Sequence, residues 1–295
     1  MAAPSFFMNF FNSSSQIIQP SIKSFGQILF SQDIRVGVLV ILSMAVFHPL
    51  GAAIAFIVTV VCHAMINIRQ RVRNRKLQGI SQEDYQDGLY GFNGALLAIG
   101  ASVFFGFNVW GLLALIPLSL LANQLWLAFY KRGIPLFTLP ATLLVLTLLN
   151  LIHTNPETSS LHWGIQGFSQ IIYIASPITA GIIATAILLA YYKKLAWFLF
   201  GAGMSFLSCF IFSDDHFLSL MLANQLLFAC YLSSTQRPIY QLTTIALVNT
   251  AILILIFYLL FTLSLPVMVF PYIVASMITS YMLKNQYGSN LPIRL

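Results

Sequence analysis

Residues 50–76 read LGAAIAFIVTVVCHAMINIRQRVRNRK, and this stretch decides the fold. Residues 50–68 carry no charged side chain, whereas residues 69–76 carry five Lys or Arg. A helix of about 20 apolar residues covers the hydrocarbon of a bilayer, and a basic cluster beside it holds that end on the cytoplasmic side. The stretch therefore predicts a transmembrane helix whose carboxyl end lies inside the cell.

The composition of the whole chain agrees with this interpretation. Only 7% of the 295 residues are charged and 59% are hydrophobic, whereas a soluble domain carries about 25% charged residues. The net charge of +7 comes from Lys and Arg in short loops, with no aromatic-interleaved basic patch. The charge therefore favours a role in membrane topology, and no nucleic-acid partner is expected.

Similar apolar runs recur along the chain between short polar breaks. The first is too short to span unless it continues into its neighbours. If the N-terminus is inside and the chain changes side after each run, all fourteen Lys and Arg fall inside. We therefore predict ten spans in the plasma (inner) membrane, with both termini cytoplasmic. The runs are 36–47, 50–68, 89–105, 109–129, 136–152, 171–190, 195–212, 217–233, 239–262 and 265–283.

Two halves of five spans each share short strings at corresponding places. Each half opens with a Gln three residues before an aromatic, Gln27 with Phe30 and Gln170 with Tyr173. Each half closes with a paired-proline string, over 134–140 and 265–271 in turn. An odd number of spans per half turns the second half upside down relative to the first. Inverted repeats of this kind place a solute site near the bilayer midplane.

These observations give the predicted fold class and its divisions. The chain is expected to be an all-α polytopic membrane protein built from two inverted five-helix repeats. The predicted divisions are an N-terminal segment at 1–20, a first repeat at 21–153, an external connector at 154–163 and a second repeat at 164–295.

In its strings and their order the sequence resembles the urea transporter family. The string IPLFTLP at 134–140 is similar to the family's Leu-Pro-x-x-Thr-x-Pro signature, and GLYGFNG at 88–94 to its Gly-Leu-aromatic-Gly-aromatic-Asn string. The Gly-Gln pair at 26–27 matches as well. The second signature carries Val269 where the family usually has Thr. The resemblance implies a homotrimer with one pore per protomer, and in each half a short re-entrant pore helix.

The resemblance also implies which residues meet the solute. Acceptor oxygens and aromatic rings would line a slot and replace the hydration of a small neutral solute. Thr138 would supply a hydroxyl near the middle, and Val269 would leave the other side without one. The implied solute contacts are Gln27, Phe30, Phe92, Thr138, Gln170, Tyr173 and Val269. The implied structural frame consists of Pro135, Pro140, Leu265, Pro266, Pro271, Asn93 and Asn224.

Simpler structural roles stand beside these. A Thr in a membrane helix commonly bonds back to its own helix, and buried Asn residues such as Asn93 and Asn224 commonly hold helices together. Pro135 and Pro140 would then only kink a helix.

The function expected from the sequence is passive, channel-like passage of urea. The ten runs hold no Asp, Glu, Lys or Arg, and ion-coupled pumps need such groups. No HExxH string or nucleophile–base arrangement is present, so neither an enzyme nor a metal or other cofactor is expected. Two alternatives stay open: a channel for another small neutral solute, such as a short amide, ammonia or water, or a non-conducting membrane sensor or scaffold.

Overall fold

The structure is a computed structural model, and the regular secondary structure of the residues that it describes is helical. These residues are 16–73, 81–105, 109–132, 134, 136–152, 171–174, 176–196, 199–200, 203, 215–234, 239–262 and 270–287. The helices are α1 (16–27), α2 (Ile34–Phe47), α3 (Pro49–Arg73), α4 (Gln82–Gln86), α5 (Phe92–Phe105), α6 (Val109–Tyr130), α7 (Leu139–Ile152), α8 (Pro177–Tyr191), α9 (Asp215–Ser234), α10 (Ile239–Thr262) and α11 (Phe270–Tyr287).

Three of these helices are long and apolar enough to cross a bilayer. The qualifying segments are Pro49–Ile68, Leu113–Tyr130 and Thr243–Leu260. Shorter apolar helices accompany them at Ile34–Phe47, Phe92–Phe104, Leu139–Leu148 and Leu220–Ser234. This is the helix content of an integral membrane protein. The count of ten spans stays a prediction, since most of the run at 195–212 lies outside the described residues.

The first predicted run does not continue into its neighbour. Helix α2 ends at Phe47, His48 is its C-cap, and α3 begins at Pro49. A residue before proline disfavours helical backbone angles, whereas proline suits the first position of a helix. The fourteen residues of α2 rise about 21 Å, which is less than the roughly 30 Å of the hydrocarbon core.

Helix packing brings together segments that lie far apart in the sequence. Helix α2 packs against α8, α3 and α6 pack against α5, and α10 packs against α11. The hydroxyl of Thr179 in α8 donates to the carbonyl oxygen of Ser43 in α2 over 3.1 Å. Large apolar side chains point outward on the long helices, including Leu50, Ile57 and Leu255. Such side chains suit a lipid surrounding better than water.

Candidate functional site

Phe30 lies just beyond the end of α1. The amide of Leu29 donates to the carbonyl of Gly26 over 2.9 Å, and that of Phe30 to the carbonyl of Gln27 over 3.0 Å. Phe30 then adopts a left-handed backbone, with φ of 57°. The last carbonyls of a helix need partners from elsewhere. The hydroxyl of Tyr191 in α8 supplies one, at 2.7 Å from the oxygens of both Leu29 and Phe30.

Three non-glycine residues in the described part of the chain have positive φ, and all three are aromatic. They are Phe30 at 57°, Phe137 at 47° and Tyr173 at 63°. A left-handed conformation costs such a residue about 1–2 kcal/mol, so the surrounding structure must hold it there. Strained backbones of this kind gather at functional sites. Phe30 and Tyr173 are two of the three aromatic solute contacts that the resemblance implied, the third being Phe92.

Phe30, Phe137, Tyr231 and Tyr272 form a buried group of rings, called here the four-ring cluster. The centroid of Phe30 lies 6.0 Å from that of Phe137, 5.8 Å from that of Tyr231 and 6.2 Å from that of Tyr272. The centroids of Phe137 and Tyr231 are 5.1 Å apart. These are ordinary distances for tilted and edge-to-face ring packing. The cluster joins the end of α1 to α9 and α11.

Tyr173 has different surroundings. Its ring lies 5.5 Å from that of Phe104 in α5. It also lies against Gly100, where an added Cβ would come within 3.0 Å of Cε2 of Tyr173 and 2.9 Å of Cγ2 of Val145. Only glycine leaves room for a ring so close to α5.

Thr138 precedes the first residue of α7 and is 4% exposed. Its backbone oxygen accepts from the amide of Thr142 over 3.0 Å. Its hydroxyl has no hydrogen-bond partner among the described residues, so in this part of the chain it does not bond back to its own helix. Pro140 lies in the first turn of α7, where its missing N–H costs no hydrogen bond. This proline therefore begins a helix and does not kink one.

Asn93 and Asn224 make corresponding contacts. The backbone N–H of Ala141 donates to Oδ1 of Asn93 over 3.3 Å, and that of Tyr272 to Oδ1 of Asn224 over 2.8 Å. Both amides lie in the first turn of a helix, where they have no partner within that helix. Nδ2 of Asn93 also donates to the carbonyl of Phe137 over 3.1 Å. Each Asn therefore bridges two helices, and Asn93 also fixes the backbone of a cluster residue.

Gln27 is buried and tied to the turn before α5. Its Nε2 donates to the backbone oxygen of Asp87 over 2.9 Å. Nearby, Nζ of Lys23 lies 3.0 Å from Oδ1 of Asp87, and the hydroxyl of Ser24 donates to the carbonyl of Gly88 over 2.7 Å. Gly88 has φ of 78°, and a Cβ there would come within 2.4 Å of the backbone nitrogen of Ser24. The Gln27 amide therefore helps to hold α1 in place.

Phe92 lies between α5 and α6. It is 3% exposed, and its ring packs edge-on against Trp126 with the centroids 5.5 Å apart. The structure thus puts Phe92 in an interhelical core. Pro271 is buried near the start of α11. The predicted residues Pro135, Gln170, Leu265, Pro266 and Val269 lie outside the described residues.

Asp33 is the N-cap of α2 and forms an ion pair with Arg35. Its Oδ1 accepts from the backbone N–H of Arg35 over 2.9 Å, and its Oδ2 lies 2.6 Å from Nη2 of Arg35. The side-chain hydrogen bond from Arg35 is the main reason that the pKa of Asp33 falls below its ordinary value.

Sequence reasoning missed four residues that contact Phe30, namely Phe137, Tyr191, Tyr231 and Tyr272. A signal for Tyr231 is present in the spacing. Asn93 and Asn224 are 131 positions apart, as are Ala141 and Tyr272, and the same offset takes Gly100 to Tyr231.

Comparison with known proteins agrees with the motifs described above. The family model described as urea transporter matches residues 18–162, nearly half of the chain. No curated protein sequence matches the chain. The matched residues include most of α1, Phe30, Asn93 and Thr138. This match places residues 18–162 of the chain in the urea transporter family.

Proposed function

We propose that the protein passes urea down its concentration gradient through a slot between its two halves. The observation that carries this proposal is the strained backbone of Phe30 and Tyr173. These aromatics open the two halves at corresponding places, and each is held in a conformation that costs about 1–2 kcal/mol. Such strain persists where a fixed ring orientation is required. A planar solute would pack its flat face against such rings, and their fixed orientation would keep the slot open for it.

The chemistry of urea fits the residues near Phe30. Urea is planar and neutral, with four N–H donors and one carbonyl acceptor, so each hydrogen bond lost on leaving water must be replaced. Thr138 follows Phe137 in the chain. Its buried hydroxyl has no hydrogen-bond partner among the described residues. We propose that it accepts a hydrogen bond from the solute. The corresponding residue, Val269, would offer the same shape without the hydroxyl.

An inverted repeat is part of the same proposal. Two pairs of equivalent contacts support it. The first is the pair of Asn bridges to α7 and α11. The second pairs the Ser119 hydroxyl, which donates to the Gly94 carbonyl, with the Thr250 hydroxyl, which donates to Oε1 of Gln225. We further propose an inner-membrane location with both termini cytoplasmic, and a homotrimer with one slot in each protomer.

Passive transport follows from the charge distribution. The ten apolar runs hold no Asp, Glu, Lys or Arg, so a coupling ion would find no charged partner within them. The proposal therefore treats the protein as a facilitator without catalytic chemistry and without a cofactor.

One observation favours a second candidate, a non-conducting membrane sensor or scaffold. The four-ring cluster fills the space beside Phe30 with three further aromatic rings. If these four rings lie across the slot, they leave no opening for a solute and the protein does not conduct.

Shrink-and-swell measurements on proteoliposomes separate these candidates. Urea, acetamide, glycerol and water would be tested in turn against protein-free liposomes of the same lipid. Faster urea entry supports the proposal, and faster entry of another solute without urea supports a channel for that solute. Rates equal to those of protein-free liposomes for every solute would favour the sensor or scaffold.

A further inference from the structure

We propose that Tyr231 and Tyr272 form a size filter in the second half of the slot, with no counterpart in the first half. This inference rests on the proposed function, since it assigns the residues that limit solute width along the same path.

The first step is the equivalence of positions in the two halves. The bridge from Asn93 to the amide of Ala141 corresponds to that from Asn224 to the amide of Tyr272. Both contacts span the same sequence separation, and the equivalent positions in these two bridges are 131 residues apart. On this offset Tyr272 stands where the first half has Ala141. In the same way, Tyr231 stands where the first half has Gly100.

The second step compares the space at these positions. In the first half the missing side chain of Gly100 lets the Tyr173 ring lie against α5, with an added Cβ only 3.0 Å from Cε2 of that ring. In the second half two phenol rings occupy the corresponding places. The ring of Phe30 meets Tyr231 at 5.8 Å and Tyr272 at 6.2 Å between centroids. Phe30 therefore meets a tyrosine at each of the two positions where the first half has Gly100 and Ala141. Tyr173 lies against Gly100 itself and the ring of Phe104.

The third step concerns the mobility of the two tyrosines. Tyr231 is 8% exposed, and its hydroxyl lies 2.9 Å from Oγ of Ser280 in α11. Tyr272 is fully buried, and its backbone N–H is held by Asn224. Phe137 closes the group from a third side, 6.0 Å from Tyr272. The ring of Tyr231 is held by its hydroxyl contact and by ring packing, and that of Tyr272 by ring packing on an anchored backbone. The two rings therefore form a fixed constriction.

The fourth step is the class of solute that such a constriction selects. Close-packed rings yield little when a solute needs one more methyl group, because interiors of this density have few voids. The filter would pass small, flat, neutral molecules of the width of urea and reject substituted ureas and longer amides. A difference of one or two methyl groups in an apolar site is worth roughly 10- to 200-fold in selection.

The test is the ratio of N,N′-dimethylurea flux to urea flux in proteoliposomes. Tyr231→Gly and Tyr272→Ala restore the first-half residues and should raise this ratio by on the order of tenfold. Tyr231→Phe and Tyr272→Phe keep the rings and should leave the ratio unchanged. Tyr281→Ala, which removes an exposed tyrosine on α11, is the matched control. If the glycine variant does not fold, judged by gel filtration, Tyr231→Leu makes the same test with a side chain that still packs.

The outcomes separate this inference from the proposed function. If the wild type passes urea and the ratio does not rise in the enlarging variants, the filter is contradicted and the function stands. If the wild type passes no urea and those variants do, the two tyrosines close the path to urea, and both the filter as proposed and the wild-type function are contradicted. If neither wild type nor folded variants pass any solute, both proposals fail.

Discussion

The hydroxyl of Tyr191 lies 2.7 Å from the carbonyl oxygen of Phe30. The same oxygen lies 2.7 Å from the carbonyl oxygen of Leu29, so the single hydroxyl proton of this α8 side chain is shared between two carbonyls just after α1. These groups lie far apart in the sequence and are buried together. The contact therefore fixes the strained turn at Phe30 from the opposite half of the chain.

Tyr191→Phe should lower both stability and urea flux. It removes the one hydroxyl proton that the buried carbonyls of Leu29 and Phe30 share, which costs about 1–3 kcal/mol, and it frees Phe30 to leave its left-handed conformation. Thermal unfolding in detergent and urea flux in proteoliposomes measure the two effects. Tyr192→Phe, at the neighbouring exposed tyrosine, is the control. An equal change in both variants would argue against the role given to Tyr191.

Asn93→Ala and Asn224→Ala should each lower the free energy of unfolding by about 1–3 kcal/mol, because each leaves a buried backbone N–H without its acceptor. Asn93→Ala should also reduce urea flux more strongly, since Asn93 additionally holds the carbonyl of Phe137. Thermal unfolding and flux measurements test this, with the exposed Thr185→Ala as control. A stable Asn224→Ala variant would contradict the bridge to Tyr272.

Thr138→Val should leave thermal stability unchanged or slightly higher and should lower urea flux. The hydroxyl has no partner among the described residues, so its removal breaks no hydrogen bond known in this part of the chain, while the proposed acceptor for the solute is lost. Thr147→Val removes an exposed hydroxyl that bonds back to Leu143 and serves as the matched control. Equal flux in the wild type and Thr138→Val would place Thr138 outside the slot.

Val269→Thr is the reciprocal change. It adds a hydroxyl at the corresponding position of the second half, and we expect urea flux to rise. Unchanged flux in the folded variant would indicate that position 269 is not in the slot.

Asp33 should make the protein lose stability at low pH. Its pKa is lowered mainly by the side-chain hydrogen bond from Arg35, from an ordinary value of 3.8. A lowered pKa stabilises the folded state above the unfolded value, and this contribution is lost as the pH falls through the folded value. Asp33→Asn keeps an acceptor for the N-cap but loses the charge. The Tm difference between wild type and variant, measured from about pH 7 down to about pH 3, should shrink toward zero, and a constant difference would contradict this assignment.

Much of the helix pattern could be predicted from the sequence, because apolar runs and short loops are local features. The apolar run at 239–262 has the bounds of α10, and the run at 109–129 differs from α6 by a single residue. The break at His48 also has a local cause in Pro49. These features depend on neighbouring residues alone.

The surroundings of the site were harder to predict, because they depend on contacts between distant residues. The role of Gln27 as a solute contact stays a prediction. Its Nε2 donates to the backbone oxygen of Asp87, and nothing near Gln27 in the sequence indicates that partner. The cap from Tyr191 to Phe30 likewise crosses between the halves. The exchange of Gly100 for Tyr231 becomes visible only when the halves are aligned through Asn93 and Asn224.

Uptake of radiolabelled urea into proteoliposomes, with ion gradients collapsed by ionophores, tests the central claim most directly. We predict entry much faster than into protein-free liposomes, ending when the inside and outside concentrations are equal. Entry no faster than into protein-free liposomes would contradict transport, and accumulation above the outside concentration would contradict a passive slot.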